Sequence, residues 1–334
     1  MSNELNVLDF KKNNGKVSTA SRRGAPDICQ LAASRRNLET AMPLNFREPS
    51  VPLRTLAGLF MAMLALQATA KPLREPKALR DPILKSSSVL VIDQSDSTVL
   101  YSLHPDVPMP IASITKLMTA LVVLDAKQPL DEMIRITDAD RNLLKGDFSR
   151  LAIGTTLSRG DLMHLALMSS ENRAAHALGN NYPGGTPAVV AAMNAKAAAL
   201  GMTSAHFVDP TGLSSGNVAS PEDLSKLVIA ASHNPSIREY STDSHCAVQV
   251  RRHMVEFRNT DNLVANPAWN IVVQKTGYIT EAGKCLVMSA VIEGRSVVIV
   301  LLDSLGKYTR VADAKRIKSW MEASANERVR VSMR

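Results

Sequence analysis

Short apolar runs with β-type spacing occur in two distant parts of the chain. Residues 88–93 and 99–102 are separated by a Gln-Ser-Asp-Ser turn. Two runs of this composition joined by polar turn residues predict a β-hairpin. Three further runs, at residues 272–279, 285–292 and 297–302, alternate with turns that contain Gly. The pattern therefore predicts strands near the beginning and near the end of the folded region.

The residues between these strands have helical periodicity. Apolar side chains recur at three- and four-residue spacing over residues 114–126, which predicts a helix. Residues 160–180 and 186–200 share this pattern. Residues 221–232 add a helix that has proline in its first turn, where the missing N–H costs nothing. A last amphipathic helix is predicted over residues 309–323.

Strands at both ends of a helical middle predict one mixed α/β domain over residues 86–325. Its sheet is expected from residues 86–112 and 255–325, so that distant segments share one sheet. A helical lobe of about residues 113–254 would be inserted between them. Residues 326–334 are expected to form a short basic tail.

An uncharged apolar segment at residues 55–66 precedes this domain. Arg54 lies directly before it and Ala68-Thr69-Ala70 follows. A positive flank, a short apolar stretch and an Ala-x-Ala site predict a secretory signal peptide at residues 55–70, cleaved after Ala70. The segment is shorter than the roughly 20 residues that span a bilayer. A buried core helix is the alternative reading.

The regions on either side of this signal follow from its position. Residues 1–54 would be an N-terminal extension, unless translation begins at Met42, which would leave a signal peptide of ordinary length. Residues 71–85 mix prolines with basic residues and predict a linker.

Composition excludes several classes of protein. The net charge of +8 is not accompanied by an aromatic-rich basic face, and aromatic residues make up only 4% of the chain. Nucleic-acid binding therefore has no support here. Three cysteines without Cys-x-x-Cys spacing, and no His-Glu-x-x-His, predict no metal site. Pairing of Cys246 with Cys285 stays open, with free thiols favoured.

Candidate chemistry begins at the start of the helix predicted over 114–126. Ser113 and Lys116 are three residues apart, so they share a helix face and the amine can reach the hydroxyl. A neutral lysine can take the proton of a serine nucleophile. Burial and a second nearby cation both lower the pKa of a lysine, which makes the neutral amine available. The helix N-terminus favours negative charge on Ser113.

A lone Ser-x-x-Lys is weak evidence, and Ser304 with Lys307 repeats it at a predicted strand end. Two further elements strengthen the first match. Ser170-x-Asn172 follows a Met- and Leu-rich helical run, and Lys275-Thr276-Gly277 lies in a β-type run. The order Ser-x-x-Lys, Ser-x-Asn, Lys-Thr-Gly is a known catalytic set. A competing match, Ser215-Gly216-Asn217, lies in a Gly-rich turn and is interpreted as structural.

With these motifs the sequence resembles the low-molecular-weight penicillin-binding D-alanyl-D-alanine peptidases over about residues 86–323. Asp209-Pro210-Thr211-Gly212-Leu213 adds to the resemblance. It implies a β-lactamase/transpeptidase-like fold with an antiparallel sheet, no cofactor, and a periplasmic enzyme acting on peptidoglycan peptide stems. β-Lactam antibiotics would be covalent inhibitors.

The resemblance also implies roles for individual residues. Ser113 would form the acyl-enzyme, Lys116 would take its proton, and Ser170 would relay a proton to the leaving amine. The backbone N–H groups of Ser113 and Tyr278 would form the oxyanion hole. The substrate-binding residues would be Asn172, Lys275, Thr276, Gly277 and Tyr278.

Within the family, the sequence favours the soluble endopeptidase branch, which cuts D-Ala–diaminopimelate cross-links. The late strands and the last helix occupy the residues after Gly277, so we expect neither a C-terminal β domain nor a membrane anchor after signal cleavage. A D-alanyl-D-alanine carboxypeptidase is the alternative. A class A-like β-lactamase is remote, because no Glu-x-x-Leu-Asn segment lies between Ser170 and Lys275. A catalytically silent wall-binding protein would lack Ser113 or Lys116.

Overall fold

One antiparallel sheet joins both ends of the folded region. The computed structural model describes residues 80–141 and 149–332, with side chains as far as residue 326. Numbered in chain order, the sheet has the strand order β2-β1-β11-β10-β9. Its strands are β1 (Ser86–Asp93), β2 (Val99–Leu103), β9 (Asn270–Ile279), β10 (Gly283–Ile292) and β11 (Arg295–Ser304).

The centre of this sheet is buried on both faces, which explains its nearly continuous apolar runs. Strand β1 pairs with β11 in a register that sets Leu90 opposite Val300. Because successive side chains point to opposite faces, Leu90 joins the core shared with the helical lobe, whereas Val89 joins a second core beneath the last helix. The sheet is therefore a middle layer between the helical lobe and the last helix.

Seven helices cover the sheet or form the lobe in the described part of the chain. Helix α5 begins with Ser220 as its cap, whose hydroxyl accepts from the N–H of Asp223, an arrangement that ends the preceding loop sharply. The helices are α1 (Thr115–Asp125), α2 (Arg159–Met168), α3 (Asn172–Asn180), α4 (Gly185–Ala199), α5 (Pro221–Ser232), α6 (Pro235–Thr242) and α7 (Thr309–Ser332).

Three small two-stranded sheets complete the described part of the lobe. They pair β3 (Met109–Pro110) with β6 (Val218–Ala219), β4 (Met133–Arg135) with β5 (Thr156–Ser158), and β7 (His245–Val250) with β8 (His253–Arg258). The β7–β8 hairpin and helix α6 had no sequence prediction. Residues 255–258 were expected in the main sheet, but they pair with β7 instead.

The predicted mixed α/β fold, with a helical lobe inserted into an antiparallel sheet, is confirmed. One helix differs, because residues 160–180 form α2 and α3 rather than a continuous helix. Ser170 has a φ of +60°, which no α-helix accommodates. Glu171 then caps α3 by accepting from the N–H of Arg173. A polar break therefore separates two helices that share one periodicity.

The last helix begins at the predicted residue but is longer than predicted. Helix α7 continues to Ser332 and so includes residues assigned to the tail. Residues 324–332 contain neither Gly nor Pro, so nothing in their backbone chemistry ends the helix at 323. No helix within the described ranges is long and apolar enough to cross a membrane.

Candidate active site

Ser113 lies in a tight turn between β3 and α1. Residues 112–114 form a single 3₁₀ turn, in which Ala112 has a φ of +48°. Ile111 and Ile114 are fully buried and anchor the turn on both sides of the serine. The hydroxyl of Thr115 donates to the carbonyl of Ala112 at 2.8 Å. The serine is thus partly exposed on a rigid turn at the N-terminal end of a buried helix.

The Lys116 side chain reaches this serine from the first turn of α1. Its Nζ lies 2.8 Å from Ser113 Oγ, 2.8 Å from Asn172 Oδ1 and 2.7 Å from the carbonyl oxygen of Thr211. The side chain is 1% exposed. These three oxygen atoms hold the nitrogen beside the serine. The predicted meeting of amine and hydroxyl is present in the structure.

A polar turn at residues 209–213 places the Thr211 carbonyl. Asp209 Oδ1 accepts from the N–H groups of Thr211 and Gly212 at 2.6 and 2.8 Å. Gly212 has a φ of +80°, and a Cβ there would lie 1.9 Å from the oxygen of Ala112. Only glycine fits this approach. Buried Asn217 donates to Asp209 Oδ2 at 3.0 Å, in agreement with the structural interpretation of Ser215-Gly216-Asn217.

The Ser170-x-Asn172 motif occupies the break between α2 and α3. Asn172 is the first residue of α3, and its side-chain oxygen contacts Lys116. Ser170 lies two residues earlier on the same junction and is partly exposed. Glu171 between them is buried, and burial raises the pKa of its carboxyl group. The helix break therefore places Asn172 on Lys116 and leaves Ser170 partly exposed on the same junction.

The Lys275-Thr276-Gly277 motif lies on β9, the edge strand of the main sheet. Lys275 is fully buried, with Nζ donating to the carbonyl of Thr276 at 2.9 Å. A Cβ on Gly277 would lie 2.8 Å from the oxygen of Ile111 and 3.3 Å from the nitrogen of Ser113. The strand therefore packs directly against the Ser113 turn. Tyr278 follows and is 57% exposed, with its ring 3.7 Å from Lys284 Nζ.

Positive charge accumulates behind this strand. Burial, followed by the nearby charges of Lys116 and Arg310, holds the pKa of Lys275 well below its usual value. Arg310 Nη1 donates to the carbonyl oxygens of Gly277 and Cys285 at 2.9 and 3.2 Å. An anionic group would suit this place, because it would favour the charged form of Lys275 and lie near the charge of Arg310. Arg310 was not predicted from the sequence, because it belongs to no motif and lies on α7, far along the chain from the other site residues.

A sequence profile of the D-alanyl-D-alanine carboxypeptidase family matches residues 75–306. The chain belongs to this family. The membership predicted from the three motifs is confirmed, and so is the class of enzyme, a serine-type DD-peptidase.

Similarity to individual family members extends along most of the chain. It is 47% identical over 273 residues to a D-alanyl-D-alanine endopeptidase of Pseudomonas aeruginosa, covering 81% of this chain and 88% of that protein. It is 45% identical over 274 residues to a D-alanyl-D-alanine endopeptidase of Escherichia coli K12, with the same two coverages.

Solved structures of the family share the fold. The crystal structure of the Streptomyces K15 DD-transpeptidase superposes with a TM-score of 0.69 at 26% identity, covering 73% of this chain and 99% of that one. A D-alanyl-D-alanine carboxypeptidase of Mycobacterium tuberculosis H37Rv gives 0.67 at 28% identity, with coverages of 74% and 95%.

The remaining sequence candidates of this DD-peptidase family member are structural. Ser304, from the second Ser-x-x-Lys, is buried and lies 2.6 Å from the hydroxyl of Ser86. Cys246 and Cys285 are free thiols, so the open question of their pairing is answered. Among the described residues, no cluster of His, Cys, Asp or Glu could hold a metal ion.

Proposed function

We propose that this enzyme is a D-alanyl-D-alanine endopeptidase that cleaves peptide cross-links of peptidoglycan through an acyl-enzyme on Ser113. The observation that carries the proposal is the 2.8 Å approach of Lys116 Nζ to Ser113 Oγ, directly beside the edge strand that contains Gly277. The two relatives at 47% and 45% identity, both named endopeptidases, favour this substrate over a free peptide end.

Acylation begins with a proton transfer. The neutral amine of Lys116 takes the hydroxyl proton as Ser113 Oγ attacks the carbonyl carbon of the D-Ala residue. Negative charge develops on the carbonyl oxygen, which accepts from the backbone N–H groups of Ser113 and Tyr278. Each such donor contributes about 3–4 kcal/mol to a transition state of this kind. The close packing at Gly277 supports the arrangement because it brings the strand beside the nucleophile.

The tetrahedral intermediate then breaks at its C–N bond. The proton taken by Lys116 passes through Ser170 to the leaving amine, which departs as part of the second peptide stem. Water attacks the remaining ester, and the proton that it loses returns to Ser113 Oγ. The contact between Lys116 and Asn172 supports this route, since it keeps the amine beside the helix junction that holds Ser170.

Substrate binding uses the rest of the motif residues. Asn172 binds the substrate backbone, and the open edge of β9 at Gly277 and Tyr278 lets the peptide lie along the strand. The carboxylate beside the leaving amine faces Lys275 and Thr276. Burial lowers the pKa of Lys275 in the free enzyme, and an arriving carboxylate favours the charged form again. The charge on Lys275 therefore depends on whether substrate is bound.

Export to the periplasm is part of the same proposal. The signal peptide at residues 55–70, its cleavage site at Ala70 and the N-terminal extension at 1–54 lie outside the described residues. The linker at 71–85 and the tail at 326–334 lie there in part. A cross-link in the cell wall is reached only by an exported enzyme, which supports the assignment.

The deciding experiment compares two substrates. The mature protein from Lys71 is incubated with cross-linked dimeric muropeptide and with free pentapeptide, and products are read by mass spectrometry. We expect dimer to become monomers, and the Ser113→Ala variant to be inactive and to form no covalent adduct with penicillin. Loss of terminal D-Ala alone would make the enzyme a carboxypeptidase. Rapid hydrolysis of penicillin would indicate a β-lactamase.

A further inference from the structure

A polar pocket of about 410 Å³ lies at the base of the β7–β8 hairpin. Its walls come from the segment between α6 and β7, from both hairpin strands and from the loop that leads to β9. None of its residues belongs to the three catalytic motifs. The lining residues are Ser244, His245, Glu256, Arg258, Asn259, Asp261, Asn262, Val264 and Ala265.

One residue, Thr260, links the wall of this pocket to the active site. Thr260 lies between Asn259 and Asp261, both of which line the pocket. Its Oγ1 lies 2.6 Å from Thr276 Oγ1, and its backbone N–H donates to the carbonyl of Met168 at 3.1 Å. The pocket wall is therefore attached both to β9 and to the end of α2, just before Ser170.

The direction along β9 indicates which part of a substrate would reach the pocket. In the proposed mechanism the scissile carbonyl lies near Tyr278 and the leaving group's carboxylate lies near Thr276. A chain that continues past Thr276 next meets Thr260 and then the pocket. A single D-Ala leaving group ends at Thr276, whereas a leaving peptide stem extends further.

The chemistry of the pocket suits a peptide with several charged groups. Arg258 is 80% exposed even though its Nε donates to Glu256 at 2.9 Å, so it can bind a further carboxylate. Asp261 is 1% exposed and forms part of the pocket wall. Its Oδ1 accepts from the N–H of Leu263 at 3.0 Å, but no group in the described ranges hydrogen-bonds to Oδ2.

An unpartnered buried carboxylate oxygen is costly. Burial raises the pKa of Asp261, against the lowering effect of the Leu263 N–H and of Arg310. Peptide N–H groups or an ammonium group of a bound peptide would satisfy this oxygen, which requires the pocket wall to shift, since the atom is buried in the free enzyme. The pocket thus offers a cation for carboxylates and an acceptor for N–H donors.

We propose that this pocket binds the leaving peptide stem of the cross-link and so selects cross-linked peptide over free pentapeptide. The inference rests on the proposed endopeptidase function. Arg258 pairs with a carboxylate of the stem, and Asp261 accepts from its N–H groups. The pocket is a specificity element, since it touches neither the nucleophile nor its base.

The test compares two arginine variants on the same hairpin. Arg258→Gln removes the pocket charge, and Arg252→Gln removes an equal charge from the exposed turn outside the pocket. We expect kcat/KM for dimeric muropeptide to fall about tenfold in Arg258→Gln, the effect of losing one charged hydrogen bond. Arg252→Gln should retain the wild-type value. Pentapeptide turnover and the rate of penicillin acylation should be unchanged in both.

A second pocket variant is needed in case another group compensates for the loss of Arg258. Asp261→Asn keeps the shape of the side chain and should also lower kcat/KM for the dimer more than for the pentapeptide. The proposal is overturned if both substrates lose activity equally, if Arg252→Gln matches Arg258→Gln, or if both pocket variants cleave dimer at the wild-type rate. A wild-type enzyme that leaves the dimer intact would instead refute the endopeptidase function itself.

Discussion

Replacing Gly277 with alanine tests how closely β9 must approach the turn that holds Ser113. The added Cβ would lie 2.8 Å from the oxygen of Ile111 and 3.2 Å from the Cβ of Ala112, where ordinary contacts begin at 3.4 Å. Strand and turn must therefore separate by about 0.6 Å. Both partners are backbone or short side chains, so no flexible group can absorb the change.

The expected cost has two parts. Overpacking of this kind costs about 1–3 kcal/mol, which corresponds to a melting temperature lowered by roughly 2–12 °C for a domain of this size. Separation of the nucleophile from the strand also misplaces the substrate carbonyl. A 1 Å error can cost about 100-fold in rate, so about 0.6 Å should slow acylation about 10- to 20-fold.

The assay is the rate of acylation by a fluorescent penicillin, measured together with the melting temperature. Gly294→Ala is the matched control. Gly294 has a φ of +73° in the turn between β10 and β11, and no atom of the described residues lies within 4 Å of its Cβ position. That variant carries backbone strain of about 1–2 kcal/mol without a clash. It should lose stability but acylate normally. Wild-type acylation by Gly277→Ala, or equal slowing in both variants, would refute the reasoning.

Three further predictions concern buried groups. Folding lowers the pKa of Lys275, so between the folded and unfolded pKa values the unfolded chain holds more protons and this group's contribution to stability rises with pH. In urea unfolding, Lys275→Met should therefore show a flatter rise in stability than wild type as the pH approaches about 10.5. Burial raises the pKa of Cys285 to about 11, so a thiol reagent should modify half-buried Cys246 first and reach Cys285 only after unfolding. Peptide mapping would show this order, and equal rates of modification in the folded enzyme would contradict it. Arg159 is fully buried and its Nη2 pairs at 2.6 Å with Glu132, whose side chain is 49% exposed. Glu132→Ala should lower the free energy of unfolding by about 2 kcal/mol, less than the loss of a fully buried pair. Calorimetry should show that Glu132→Gln recovers part of this stability.

The spacing of residues along the chain was sufficient to predict features that depend on neighbouring residues. The three-residue interval between Ser113 and Lys116 predicts a shared helix face, and their reactive atoms lie 2.8 Å apart. Helix α5 has its predicted bounds, since the proline in its first turn marks where the helix starts. Periodicity failed at Ser170, where apolar residues continue in register through a residue with positive φ. A pattern of side chains does not report a break in the backbone.

The sequence by itself determined the family, predicted a nucleophile with its base, and predicted the strands of the main sheet and most of the helices, because these depend on residue type and short intervals. Only the tertiary structure decided which distant groups meet them. Pairing of β1 with β11 and packing of α7 bring Arg310 to the carbonyl of Gly277. The turn at Asp209 brings the Thr211 carbonyl to Lys116. The pocket beside Thr260 exists because a hairpin that had no sequence prediction docks against β9. Such contacts form when separate segments bury their apolar faces together. The spacing of residues along the chain therefore does not predict them.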